Sequence, residues 1–211
     1  TFRHLFLLVL LVFIPFLFMP LNSAFATEPT VIRSDVKFID DTGVPVNTIT
    51  IANVPVGTQT DRLLVVSVAL DQQVSPVPTV SSVTFGPTGA SCTVNQSFTQ
   101  FPSSTSEFSN KVRNELWYLT APSASQTCNV IVTLTNTVGD TSSAFAVSVL
   151  FSGVDQSTPI DNTATATGTS TTPSVTISDD ANHIILDVMS TIDAGGAPTL
   201  PPNQNSQGIH T

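Results

Sequence analysis

From residue 27 onward, short runs of β-branched and aromatic residues recur between turn-forming residues, and no segment keeps a helical period for three turns. The runs predict about ten strands, near 31–39, 47–53, 62–70, 79–85, 91–98, 112–119, 128–135, 143–152, 173–178 and 183–190. Turn signals fall between them at Asp41-Thr42-Gly43, Gly86-Pro87-Thr88-Gly89, Ala121-Pro122-Ser123 and Gly139-Asp140. The run from Leu63 to Leu70 is apolar on both faces and predicts a central strand covered on both sides. Phe145, Val147, Val149 and Phe151 form a bulky face opposite the smaller Ala144, Ala146, Ser148 and Leu150, and the two phenylalanines are assigned to the core. Residues 99–110 and 161–172 read as long loops. The fold class expected is an antiparallel β-sandwich, jelly-roll-like.

The first 26 residues follow another pattern. Arg3 precedes an uncharged apolar run from Leu5 to Met19, followed by Ser23-Ala24-Phe25-Ala26. That order predicts a secretory signal peptide cut between Ala26 and Thr27. The run is shorter than the roughly 20 residues of a spanning helix, and Pro15 and Pro20 interrupt it. Residues 27–211 are then one exported β-sandwich domain with no membrane span, placed in the medium or at the cell surface. The chain begins with Thr rather than Met, so a fragment lacking at least its initiator is expected; the polar stretch Gln204 to Thr211 closes no element, so a truncated C-terminus is expected as well.

Composition narrows the partners. The chain has 6 basic and 15 acidic residues and a net charge of −9, with no basic cluster, which argues against nucleic acid. Cys92 and Cys128 are the only cysteines. Export makes a disulfide the default reading, with a free buried pair as the alternative. Cys128 shares a face with Val130, Val132 and Leu134, so a bridge there points into the core.

Reactive groups are sparse. His183 falls in a strand pattern and reads as a sheet-face residue, and His210 lies next to the last residue. The glutamates, Glu28, Glu107 and Glu115, offer no evident carboxylate pair for glycosidic chemistry, and the Gly-x-Ser-x-Gly turn is missing. Asp40, Asp41, Asp155 and Asp161 stand at turns, as do Asp179 and Asp180. They are candidate ligands of a structural calcium ion, although turn capping by aspartate accounts for the same positions. The aromatic candidates for stacking on a sugar are Phe101 and Phe108 on a loop, and Trp117 and Tyr118, which face opposite sides of one strand. Packing under the loop or in the core is the competing role. Asn95-Gln96-Ser97 is an N-glycosylation sequon.

Several segments resemble one another's counterparts in a known set of modules. They are Arg62 to Val68, Val80 to Gly86, Glu115 to Pro122, Phe151 to Pro159, Thr172 to Ile177 and Ile184 to Val188. Together they resemble β-sandwich modules of exported microbial surface proteins, over most of residues 45–190. The resemblance implies a place beside adhesive or immunoglobulin-like modules, closing strands beyond residue 190, and no catalytic residue. The expected function is a structural or adhesive module, not an enzyme, whose partner is a surface or matrix protein or a glycan. A carbohydrate-binding module is the alternative, and a hydrolase using His183 ranks below it.

Overall fold

A computed structural model describes residues 28–39, 46–72, 76–138, 142–169, 174–178 and 183–190. The expected leader at residues 1–26, together with Asp40, Asp41, Asp179, Asp180 and His210, lies outside them. Among the described residues ten strands form: β1 (Thr30–Ile39), β2 (Val46–Val56), β3 (Leu63–Gln72), β4 (Val80–Phe85), β5 (Gln96–Ser97), β6 (Thr99–Gln100), β7 (Ser106–Phe108), β8 (Val112–Thr120), β9 (Gln126–Val138) and β10 (Ser142–Ser152).

Two antiparallel sheets pack face to face. One has the order β1-β10-β3-β8-β6, with β7 also on β8, and the other has the order β2-β9-β4-β5. The pairings are nested: β1 with β10, β2 with β9, β3 with β8 and β4 with β5. A long hairpin rolled up so that successive pairs alternate between two sheets gives this pattern, which is the jelly-roll arrangement of the sandwich.

Strand alternation fills the space between the sheets. β2 supplies Ile49 and Ile51, β3 supplies Leu64, Val66 and Val68, and β9 supplies Val130 and Val132, all buried. Each such side chain stabilises the fold by about 1.5–3 kcal/mol. Cys128 lies on this same face of β9 and is bridged to Cys92, with the Cα atoms 4.8 Å apart. The bridge closes a loop spanning 36 positions, and in the chain-entropy view such a loop contributes about 4 kcal/mol.

The bulky face of β10 does not enter this core. Ala144, Ala146 and Leu150 point between the sheets, while Val147, Val149 and Phe151 join Leu63, Val65 and Val154 in a second cluster on the outer face of the six-stranded sheet. Phe145 packs against that second cluster. Alternation in β10 identified two faces but not which one met the partner sheet. The spacing between sheets accepts the small residues, and the large ones are covered by the chain that follows β10.

Three other expectations change. The strand expected at 91–98 is mostly loop, with a single bridge from Ser91 to Thr127 and the two-residue β5. Side chains hold that loop in place. Asn53 Oδ1 accepts from Ala90 N at 2.7 Å, and Asn129 Nδ2 donates to Thr88 Oγ1 at 2.9 Å. Gly86, at φ 102°, begins the loop, and a Cβ there would overlap the Val94 carbonyl oxygen. The expected loop at 99–110 instead contributes β6 and β7 to the edge of β8. Residues 174–178 and 183–190 form no strand. Leu186 packs on the outer cluster while Val175, Ile184, Ile185 and Met189 are exposed. A β-like pattern becomes a strand only beside an unpaired edge, and where Leu186 packs, the sheet presents its face.

Candidate functional site

The chain after β10 builds a concavity. Asp155 folds it back: its Oδ1 accepts from Ser157 N at 2.7 Å, from Ser157 Oγ at 2.6 Å and from Thr158 N at 3.2 Å. These bonds, led by the Ser157 hydroxyl, hold the Asp155 carboxyl below its ordinary 3.8. Val154 and Ile160 then settle on the outer cluster. Thr163 Oγ1 donates to the Pro102 carbonyl at 2.6 Å, and Ser190 Oγ donates to Asn114 Oδ1 at 2.5 Å, so the covering chain is tied to the turn between β6 and β7 and to β8.

Between cover and sheet lies a cavity of about 390 Å³. Its floor is apolar, formed by Leu63, Val65 and Phe151 with Phe101 beside them; the covering chain adds Ile160, Ile177 and Ile184 as well as the polar Asp161, Asn162, Ser178 and His183. Asn162 Nδ2 donates to Asp161 Oδ2 at 2.9 Å and to Ser178 Oγ at 3.2 Å. His183 Nδ1 stands 4.0 Å from Asp161 Oδ2, and both side chains are substantially exposed. His183 is therefore a rim residue and not the sheet-face residue its sequence setting suggested. The 4.0 Å separation exceeds the hydrogen bond by which an acid orients a catalytic base.

The four aromatic candidates are not brought together. Phe101 lines the cavity and meets Tyr118 edge to face, with ring centroids 5.1 Å apart and planes at 82°. Tyr118 is half-buried beneath it on the outer face. Trp117, on the opposite face of β8, is in the inter-sheet core and does not fit an exposed sugar platform. Phe101 N donates to Leu116 O, whereas Phe108 pairs with Val112. The two loop phenylalanines are thus four residues apart along β8, roughly 13 Å at strand spacing.

Among the acidic candidates, Asp155 and Asp161 line the same cavity, but Asp155 is engaged by its own turn. Among the described residues, no group of three His, Cys, Asp or Glu side chains could hold a metal ion. Turn capping is the role that the geometry at Asp155 supports.

Sequence reading missed two things here. Asn162 and Ser178 carry no motif, and only the fold of the covering chain brings them together. The other is Glu115, 1 % exposed inside the sandwich. Its carboxylate accepts from Val80 N at 3.1 Å, Gln100 Nε2 at 3.1 Å, Arg113 Nε at 2.6 Å and Trp117 Nε1 at 3.2 Å. The inward period-two positions 113, 115 and 117 were its only sequence signal. Comparisons with protein-family models, curated proteins and solved structures found no match to this chain.

Proposed function

We propose that this chain is an exported structural or adhesive module, a jelly-roll sandwich that presents ligand-binding surface outside the cytoplasm without catalysing a reaction. The observation that carries the reading is the Cys92–Cys128 bridge, set among core residues of β9 and anchoring the loop that follows β4. Disulfides persist where the surroundings are oxidising, which supports a place beyond the cytoplasm. A sandwich stapled in this way, with a net charge of −9, suits a durable exposed domain. No helix among the described residues is long and apolar enough to cross a membrane. The partner is a surface or matrix protein or a glycan.

The reading is tested by displaying the chain on cells and washing them under flow over matrix- and glycan-coated surfaces. Retention several-fold above cells lacking the chain is expected. Equal retention on every surface would overturn it.

A further inference from the structure

Deepening the adhesive reading, on which it rests for the source of its ligand, we propose that the cavity on the outer face of the six-stranded sheet binds a hexopyranose ring that carries no anionic group.

The cavity lining combines two kinds of surface. Leu63, Val65, Phe151 and Phe101 give an apolar floor, and Asp161, Asn162, Ser178 and His183 give a rim of hydrogen-bonding groups. A ligand that satisfies both must turn a flank of C–H groups to the sheet and several hydroxyls to the rim. A pyranose has that division: its axial C–H bonds form an apolar face and its equatorial hydroxyls both donate and accept. The volume, about 390 Å³, lies in the range of small-molecule sites. Phe101 is held from behind by Tyr118, so an aromatic surface is already positioned before the ligand arrives.

Charge decides among sugars. The lining includes the carboxyl groups of Asp155 and Asp161 and no Lys or Arg. A uronate or a phosphorylated sugar would bring a negative charge beside those acids without a cation to offset it, whereas a neutral or amine-bearing ring meets no such repulsion. The same argument removes free phosphate as the ligand. A bare divalent cation is disfavoured by the apolar floor.

The test is a titration of the isotope-labelled full chain with glucose, glucosamine or glucuronate, read by backbone amide shifts. Shifts centred on Asp161, Asn162, Ser178 and His183 are expected with glucose and glucosamine, and several-fold weaker binding with glucuronate. Phe101→Ala is expected to weaken binding about tenfold, the equivalent of about 1.4 kcal/mol. Asn162→Ala, at an exposed position, is expected to weaken it about three- to tenfold while leaving the fold intact. Phe108→Ala, away from the cavity, serves as the control that leaves affinity unchanged. No shifts with any of the three sugars, shifts centred elsewhere, or glucuronate bound as tightly as glucose would overturn the proposal. Cells that adhere while the titration is silent would remove this site alone. A positive titration with non-adherent cells would remove the adhesive reading instead.

Discussion

Trp117 and Glu115, two positions apart on β8, point into the same inter-sheet space, and the indole Nε1 donates to the Glu115 carboxylate at 3.2 Å. Arg113, two positions earlier on the same face, donates from Nε to the other carboxylate oxygen at 2.6 Å and from Nη1 to Glu107 at 2.6 Å. Burial opposes the Arg113 charge, but Glu115 and Glu107 outweigh it and raise the guanidinium above its ordinary value. A raised basic pKa contributes stability below the unfolded value and loses it only as pH rises through the folded one, so Arg113 stays charged throughout the ordinary range.

Removing the acceptor strands these donors. Glu115→Ala leaves the half-buried guanidinium, the Val80 amide and the Trp117 indole without their shared partner, and a loss of about 3–5 kcal/mol is expected. Glu115→Gln keeps an acceptor oxygen and is expected to lose less. Urea denaturation followed by Trp117 fluorescence checks both, and an alanine variant as stable as the parent would contradict the assigned role.

Ser148 presents the opposite case. It lies on β10 between the Ala146 and Leu150 positions of the core face, 1 % exposed, and its hydroxyl has no hydrogen-bond partner among the described residues. A buried hydroxyl that makes no bond carries an uncompensated desolvation cost. Ser148→Ala is therefore expected to raise stability by about 1 kcal/mol, read as a higher urea midpoint at unchanged slope. A lower midpoint would mean that the hydroxyl does find a partner.

Asp155 gives the pH dependence. Its folded-state carboxyl is held below the ordinary 3.8 by Ser157 and Thr158, so its contribution is present above that value and is lost as pH falls through the lower, folded one. The amide shifts of Ser157 and Thr158 are expected to titrate with a midpoint below 3.8 and to lose that transition in Asp155→Asn. A midpoint at or above 3.8 would mean that the turn does not favour the charged form.

The strands that face neighbours on both sides were legible from sequence. The run from Leu63 to Leu70 read as a central strand, and β3 does lie between β10 and β8, its alternate residues feeding the two clusters. The Cys92–Cys128 bridge was expected from the export pattern, and its inward direction from Val130, Val132 and Leu134, which share the face of Cys128. What escaped depended on partners remote in sequence. Phe151 was recognisable as buried, yet only the roll of the hairpin puts it outside the sandwich under Ile160 and Leu186. Ile184 and Ile185 looked like strand residues because their local pattern cannot reveal the absence of a sheet edge to join. The cavity was the least legible feature, since Leu63, Phe101, Asn162 and His183 converge from four separate parts of the chain.

The whole reading rests on this chain working outside the cytoplasm. The direct measurement expresses it with residues 1–26 in place, blocks free thiols before lysis, and takes intact masses of the material in each cell fraction. The account predicts a species beginning at Thr27 in the envelope or medium, with Cys92 and Cys128 unmodified by the blocking agent until reductant is added. An uncleaved chain in the cytoplasm with both thiols blocked would contradict it.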